Sequence, residues 1–293
     1  MIRILPLINP ITVFALKGGT AINFFVRDLP RISVDIDLAY LPVNERQAAL
    51  ADISLSLTKI SGKIEKTLPG SLIVSKKFHG QNLLKGLIIR WNESSVKIET
   101  NPVIRGTVFG TRMKALSPRA QHLFEVSADI RTLSSAELYA GKICAALDRQ
   151  HPRDLFDVNL LLKNEGVSEE TKKAFLVYLI SHPRPIYELL NPNFTDIRSV
   201  FENEFRGITV DDVGYGELVT TRERLVALIM NSLTSEDRQF LVSVKKGKPE
   251  WDLLGLENVA LLPAVRWKLL NIGKMGRVRH GKSLARLEDY LLR

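Results

Sequence analysis

The sequence predicts an α/β (α+β) protein, with a mixed sheet in about its first 130 residues and helices in the rest. Short runs in which apolar and polar residues alternate, as in half-buried strands, are confined to the first part. Runs with apolar residues at helical spacing succeed one another from about Ser134 onward. Because 293 residues exceed one small domain, we expect two domains, 1–130 and 131–293.

The first domain is predicted to contain a helix that opens at Gly18-Gly19-Thr20. A turn at 28–30 ends it, because the residue before a proline disfavours the α region. A second helix and four strands follow, with a hairpin turn at 92–95 before the last strand. In chain order these elements are a strand at 33–39, a helix at 44–60 and strands at 72–74, 87–91 and 96–100.

The second domain is predicted to begin with a helix whose start has capping-box spacing, Ser134 followed by Glu137. This helix runs to about Gln150 and is broken by Pro152, after which a second helix runs from Arg153 to Lys163. Further helices are predicted at 169–181, 217–232, 235–243 and 261–272.

The charge balance, net +9 with a pI of about 9.6, suits polyanionic partners such as RNA, DNA or nucleotides. A soluble protein can also be basic without such a partner.

The single cysteine, Cys144, excludes a disulfide framework within the chain and predicts a reducing, cytoplasmic location. No run approaches the roughly 20 apolar residues of a membrane span, so no membrane partner is expected.

The strongest chemical signal is a pair of carboxylates on a predicted strand, Asp35 and Asp37. Successive strand residues face opposite sides, so the two aspartates share one face, roughly 6–7 Å apart at the backbone. Val34, Ile36 and Leu38 are expected to enter the core from the other face. Two neighbouring carboxylates repel one another, and a cation is their natural partner. Mg²⁺, or Mn²⁺ in its place, takes such oxygen ligands together with substrate phosphates.

Gly18 and Gly19 could complete an anion site beside the aspartates. Without Cβ atoms they allow the backbone to approach a phosphate, and the free N–H groups at the start of the following helix point at the anion. Lys17 or Thr20 could add a donor. Alternatively, the glycines are only a tight turn and the aspartates only an exposed strand face. The combination of the two motifs favours the functional interpretation.

A site that holds two metal ions generally needs a third carboxylate, and Glu99 is the candidate. Glu99 faces away from Val96 and Ile98, on a strand that could lie beside the strand of Asp35. The alternative, an exposed hairpin charge paired with a lysine, agrees equally well with the local pattern.

A second charged cluster lies on two consecutive predicted helices. Lys142 and Arg149 are seven residues apart and share a face of the first, while Asp154 and Asp157 share a face of the second. Opposed charges of this kind can simply hold two helices together. A very apolar run follows the aspartates, which predicts a buried helix. Because a buried helix tends to keep charged residues only where they have a function, a chemical role is the alternative. The cations, Arg153 among them, would then bind a triphosphate or neutralise pyrophosphate.

The C-terminal segment is rich in cations, and three glycines there are expected to loosen the backbone. A polynucleotide could dock on it, or it could be an ordinary solvated surface loop. Trp91, Trp251 and Trp267 are expected in the core rather than in a stacking platform. The cations concerned are Lys268, Lys274, Arg277, Arg279, Lys282 and Arg286.

At these motifs the sequence resembles the AbiEii family of nucleotidyltransferase toxins, within the polymerase-β-like superfamily. The resemblance covers nearly the whole chain, and its first two motifs are specific in combination. The segments that carry it are 16–21, 31–38, 97–102, 137–142 and 153–157, with 237–241 and 262–268 near the C-terminus.

The resemblance implies a polymerase-β-like catalytic domain, followed by a helical domain that contributes charged residues to the active site. The metal would bind Asp35 and Asp37 with Glu99 as third ligand, and Lys142 and Asp157 would act with both aspartates in catalysis. The nucleotide would contact Lys17, Gly18, Gly19, Thr20, Ser33, Lys142, Arg149, Arg153 and Asp154.

The resemblance also implies a metal-dependent toxin that moves a nucleotide from an NTP onto an acceptor, an RNA or tRNA 3′ end, and so blocks translation or growth. A cognate antitoxin would accompany it, in a toxin–antitoxin or phage-defence module. Two other interpretations stay open. One is a kinase-like, GTP-binding or NTP-hydrolysing toxin, and the other is an inactive fold that only binds a partner.

Overall fold

The computed structural model describes residues 1–292, which form two compact units. The first unit holds Met1–Leu138 with Ile208–Asp211, and the second holds Tyr139–Gly207 and the chain from Asp212 onward. The division follows Leu138 rather than residue 130, because a strand at Asp129–Leu133 belongs to the sheet of the first unit. Arg293, the end of the second predicted domain, lies outside the described residues.

The first unit is built on a seven-stranded mixed sheet, which together with the many helices confirms the predicted fold class. Its strands are β1 Phe14–Lys17, β2 Asp35–Tyr40, β3 Leu72–Lys77, β4 Leu84–Trp91, β5 Ser94–Thr100, β6 Thr111–Ala115 and β7 Asp129–Leu133. They lie in the order β3-β4-β5-β2-β1-β7-β6. The pairs β2–β5 and β1–β7 are parallel, and the other neighbours are antiparallel. β1 and β2 therefore lie inside the sheet, where neither has a free edge.

Strand β2 separates its residues by face much as the sequence predicts. Ile36 and Leu38 are completely buried, while Asp35 and Asp37 are half-buried on the opposite face. The expectation for Val34 is wrong, because the strand begins only at Asp35 and Val34 is 51% exposed.

Three strands, β1, β6 and β7, are absent from the sequence prediction. β1 is a continuous apolar run, Phe14-Ala15-Leu16, that is buried throughout and so lacks the alternation that marks a strand. β6 and β7 are only five residues long. The pairing of β1 with β7 joins Leu16 to Thr132, a contact between distant residues that no local pattern reports.

The predicted helix at Gly18 is present, although only its first turn is α-helical: α2, Gly18–Ala21, continues as a π-helical turn over Ile22–Val26. The long helix α3, Arg46–Thr67, extends past its predicted end and packs against β4. There the Leu84 amide donates a hydrogen bond to Ser54 Oγ at 2.9 Å. The short helices of this unit are α1 Leu5–Ile8 and α4 Pro118–Phe124.

The second unit is helical, as predicted, and helix α5, Ser135–Arg149, leads into it. The later helices are α6 Pro152–Lys163, α7 Glu169–Ser181, α8 Ile186–Leu190, α9 Arg198–Glu204, α10 Tyr215–Ser232, α11 Ser235–Lys246, α12 Trp251–Leu254, α13 Pro263–Gly273 and α14 Arg277–Leu291, with a 3-10 turn at Val259–Leu261. Thr234 and Asp237 form a capping box at α11. The expected loosening of the C-terminal segment is wrong, because α14 continues through Gly281 and buries Leu287 and Leu291.

Among residues 1–292, no helix combines the length with the apolar character that crossing a bilayer requires.

The opposite environments of Ile36 and Val34 give a direct test of the β2 register. Ile36→Ala removes completely buried methyl groups and should lower the free energy of unfolding by roughly 2–5 kcal/mol. Val34→Ala, two residues earlier in an exposed position, should change it by less than about 0.5 kcal/mol. Urea unfolding of both variants measures the difference, and equal losses would contradict the register.

Candidate active site

The turn from β1 into α2 brings two predicted motifs together. Lys17, the last residue of β1, is the direct cross-strand partner of Asp37 on β2. The next residue, Gly18, has a φ of +72°, in the left-handed region that favours glycine. A Cβ at Gly18 would lie 2.5 Å from Asp37 Oδ2, so the carboxylate of Asp37 occupies the space that a side chain would need. The glycine is required here for both its backbone conformation and its missing side chain.

Gly19 is equally constrained, by a residue that the sequence analysis did not single out. A Cβ at Gly19 would lie 2.8 Å from Arg31 Nη2 and 3.2 Å from Ser33 Oγ. Arg31 is buried, and its Nη1 donates a hydrogen bond to the Ile32 carbonyl at 2.9 Å. Its guanidinium thus lies against the Gly-Gly turn. An arginine four residues before the first aspartate was visible in the sequence, but nothing local indicated that it folds back onto the glycines.

Thr20 ties the turn to β2. Its hydroxyl lies 2.9 Å from Ser33 Oγ and also donates a hydrogen bond to the Asp35 carbonyl. The side chain is almost completely buried. The structure therefore uses this hydroxyl internally, and the nucleotide contacts expected of Thr20 and Ser33 stay predictions.

The two aspartates share one exposed face, and no ion pair to either carboxylate occurs among residues 1–292. Within the same residues, no group of three or more histidine, cysteine, aspartate or glutamate side chains is arranged to hold a metal. A divalent cation at Asp35 and Asp37 would therefore complete its coordination with water and substrate phosphates. That is the usual ligand set of protein-bound Mg²⁺.

A row of paired residues crosses five strands through Asp37. In register these residues are Lys76 on β3, Gly86 on β4, Glu99 on β5, Asp37 on β2 and Lys17 on β1. Gly86 has no side chain, so Lys76 can reach across β4 to Glu99, where Nζ and Oε1 are 3.3 Å apart. Lys97 approaches the same oxygen at 3.9 Å. The structure thus places Glu99 beside Asp37 but pairs it with lysines, and its role as third metal ligand stays a prediction.

The second predicted cluster belongs to the second unit and forms a buried ion-pair network. Lys142 on α5 lies between two carboxylates of α6, with Nζ 2.8 Å from Asp154 Oδ1 and 3.0 Å from Asp157 Oδ2. Arg149 Nε is 2.5 Å from Asp154 Oδ2 and is itself largely exposed. Burial alone would raise the pKa of Asp154, but Lys142 and Arg149 outweigh it and hold that pKa well below its usual range. These contacts join α5 to α6, the structural alternative that the sequence left open.

Arg153 takes no part in that network. Its backbone N–H donates to Nδ1 of His151 at 3.1 Å, and its guanidinium lies 3.8 Å from Glu204 Oε2. The predicted site residues therefore form two groups, one on β1, α2, β2, β5 and the segment just before β2, and the other on α5 and α6. The roles assigned to Lys142, Arg149, Arg153, Asp154 and Asp157 in nucleotide binding and catalysis stay predictions.

The fold is shared with a structurally characterised nucleotidyltransferase. The chain is similar to MenT4, a nucleotidyltransferase toxin from Mycobacterium tuberculosis H37Rv, with a TM-score of 0.57 and 14% sequence identity. The match covers 97% of this chain and 90% of that one. No curated protein sequence matches the chain. At this level of identity the match shows that this chain has the fold of that nucleotidyltransferase.

The particular family follows from the sequence. The family model described as nucleotidyl transferase AbiEii toxin, type IV toxin–antitoxin system, matches residues 5–269. The chain belongs to this family and is a nucleotidyltransferase toxin.

The contact between Gly18 and Asp37 can be tested with two glycines of similar conformation. Gly18→Ala and Gly70→Ala both place a side chain at positive φ, which costs about 1–2 kcal/mol, but nothing lies within 4 Å of a Cβ at Gly70. Only Gly18→Ala should displace the Asp37 carboxylate. We expect it to reduce nucleotidyl transfer by roughly a hundredfold or more, while Gly70→Ala keeps wild-type activity. Equal activity of the two variants would contradict a catalytic role for this turn.

The Asp154 network predicts a pH-dependent loss of stability. A carboxyl group whose folded pKa is lowered stabilises the fold above its unfolded pKa of about 3.9, and this contribution is lost as the pH falls through the folded value. Asp154→Asn should therefore be less stable than the wild type at neutral pH, and the difference should shrink below about pH 4. Thermal unfolding from pH 7 to pH 2 measures it. A difference that is independent of pH would contradict the assigned ion pairs.

Proposed function

We propose that this nucleotidyltransferase toxin uses Mg²⁺, or Mn²⁺, to transfer a nucleoside monophosphate from an NTP to the 3′ hydroxyl of an RNA, with tRNA as the expected acceptor. Family membership supports NTP-dependent transfer by a toxin. The observation that carries the metal dependence is the placement of Asp35 and Asp37 on one exposed face, with Asp37 against the backbone of Gly18. The basic charge of the chain supports a polynucleotide acceptor.

The residues of the first unit suit this reaction. Asp35 and Asp37 would hold the divalent cation, which neutralises the triphosphate and the charge that develops during transfer. The Gly18-Gly19 turn lies against Asp37 at the start of α2, where its backbone N–H groups would face a phosphate, and the Lys17 side chain is on the same face as Asp37. The RNA 3′ oxygen attacks the α-phosphorus in line. A P–O bond to the RNA forms, the bond to the β-phosphate oxygen breaks, pyrophosphate leaves and the hydroxyl proton passes to solvent.

The cluster of the second unit enters this proposal through the family resemblance. Lys142 and Asp157 are proposed to act in catalysis, and Arg149, Arg153 and Asp154 to contact the nucleotide. Buried cations paired with carboxylates can exchange one anionic partner for a phosphate, because both offer charged oxygens to the same donors.

We further propose a cytoplasmic location, which agrees with the single buried cysteine. We also propose that a cognate antitoxin accompanies the toxin and that the toxin inhibits growth in phage defence.

The metal assignment is tested with Asp37→Asn. This change removes one ligand charge and should lower transfer by roughly a thousandfold, equivalent to about 4 kcal/mol. The fold should be kept or slightly stabilised, because the change also removes repulsion between neighbouring carboxylates. The matched control is Asp129→Asn, an exposed acid on β7 of the same sheet. Transfer from α-labelled NTP to total RNA measures activity, with and without Mg²⁺, and thermal unfolding measures the fold.

Full activity of Asp37→Asn, or of the wild type in EDTA, would refute the metal site. Label transferred from the γ-phosphate instead would indicate phosphoryl transfer. The acceptor group is tested separately by oxidising the RNA with periodate, which destroys the terminal 2′,3′-diol. Oxidised RNA should accept no label, and unchanged labelling would exclude the 3′ end.

A further inference from the structure

A buried lysine without an acidic partner marks the junction of helices α11, α13 and α14. Lys245, near the C-terminus of α11, is only 7% exposed. The acceptor for its ammonium group is the Met275 Sδ atom, 3.5 Å away, and no carboxylate among residues 1–292 pairs with it. A thioether is a weak acceptor, so the charge is buried almost without compensation. Lys172 on α7 is as deeply buried, but its charge is neutralised in the usual way by carboxylates. Its ammonium lies 3.0 Å from both Asp237 and Glu169.

Further cations surround Lys245. Burial, and then the Arg279 guanidinium, lower the pKa of Lys245. Burial, and then Lys245, lower the pKa of Lys268 to about 8. The Lys268 ammonium donates to the carbonyl oxygens of His182 and Arg184 at 2.6 and 2.5 Å rather than to a carboxylate. Like charges at this density destabilise the unit unless an anion joins them.

The N-terminus of helix α14, the positive end of its dipole, lies near Lys245. Its first six residues include Arg277, Arg279 and Lys282 and no acid, and Gly276 at its N-cap offers no side-chain hydrogen bond. Cations at a helix N-terminus oppose the macrodipole, which favours negative charge there. His280 Nε2, 2.8 Å from the Lys245 carbonyl, joins this helix end to α11. This 15-residue helix therefore presents free N–H groups and cations together, a combination that suits phosphate.

The neighbouring helix α13 exposes an aromatic ring. The expectation that Trp267 lies in the core is wrong, because it is 54% exposed, and Leu270 on the same face is 48% exposed. Lys274 follows Trp267 by seven residues, which places it about 20° round the helix and roughly 10 Å along it. An exposed indole with a lysine on the same side of the helix is a platform for base stacking, and stacking tolerates any base.

We propose that Trp267, Lys274, Arg277, Arg279 and Lys282, here called the C-terminal cationic surface, bind a single-stranded segment of the RNA acceptor. Phosphates of the strand lie at the start of α14, where the buried Lys245 ammonium adds positive charge, and one base stacks on Trp267. This inference rests on the proposed polynucleotide acceptor and names the part of the chain that holds it.

The test measures RNA binding apart from catalysis. The affinity of the full chain for a fluorescein-labelled 12-nucleotide single-stranded RNA is measured by anisotropy in EDTA, without NTP, over a range of salt. Changing Arg277, Arg279 and Lys282 together to Gln, which keeps helix propensity, should raise Kd roughly 30- to 100-fold at 0.1 M salt and reduce the salt slope by about 2. The matched control changes Lys59, Lys63 and Lys66 on α3 to Gln and lowers the net charge equally.

Two single variants separate binding from structural roles. Lys245→Met removes a buried charge that lacks an acidic partner, so the melting temperature should stay the same or rise while RNA affinity falls roughly tenfold. Trp267→Ala should weaken RNA binding roughly tenfold without altering stability. A lower melting temperature with unchanged RNA affinity in Lys245→Met would show that this lysine serves the fold alone.

Four further outcomes would contradict either the RNA-binding proposal or the proposed function. Equal losses in the α14 triple variant and the α3 control would show that net charge alone attracts RNA and would overturn the proposal. So would an NTP KM that rises as much as the RNA Kd, since the surface would then bind the nucleotide. Binding of phosphatidylserine vesicles in place of RNA would also overturn it. If wild-type protein binds RNA but transfers no label, the result would contradict the proposed function but still support RNA binding at the C-terminal cationic surface.

Discussion

The close approach of the Asp37 carboxylate to the backbone of Gly18 is the constraint on which the proposed chemistry depends. It exists because β1 and β2 pair in the interior of the sheet with Lys17 opposite Asp37, and because the chain then turns at a positive φ that a glycine adopts without strain. The contact fixes the position of one carboxylate relative to the start of the following helix. The Gly-Gly turn and the acidic strand therefore form one site rather than two independent motifs.

Acids of the same type lie in different electrostatic surroundings in the two units. Asp35 and Asp37 are half-buried and have no ion pair among residues 1–292, and Asp37 lies in a row of paired residues with a lysine at each end. Asp154 and Asp157 are buried and share the ammonium of Lys142. Unpaired neighbouring carboxylates invite a divalent cation, whereas paired buried ones hold two helices together until a stronger anion competes. Within the described residues, the first pair of carboxylates is therefore left without a cationic side chain as partner, whereas the second pair is neutralised within the fold.

Family membership and charge distribution answer different questions about this toxin. The match over residues 5–269 establishes nucleotidyl transfer, and the fold similarity at 14% identity establishes the architecture. Neither concerns the acceptor. The placement of lysines does bear on it: Lys172 has two acidic partners, while Lys245 has only a thioether sulfur. An enzyme that must hold a polyanion while transferring a nucleotide gains from cations that the fold leaves uncompensated.

The sequence by itself determined the fold class, most of the helices, and the facing of β2, because these follow from local periodicity and capping. The helix Glu169–Ser181 was readable in this way, as was the alternation of Ile36 and Leu38 with the aspartates. Only the tertiary structure decided that β1 is a strand, that Arg31 folds against Gly19, that Lys76 reaches Glu99 across Gly86, and that Trp267 is exposed. These features arise from contacts between residues far apart in the chain. Local patterns record which face of an element is apolar, but not which distant side chain meets it.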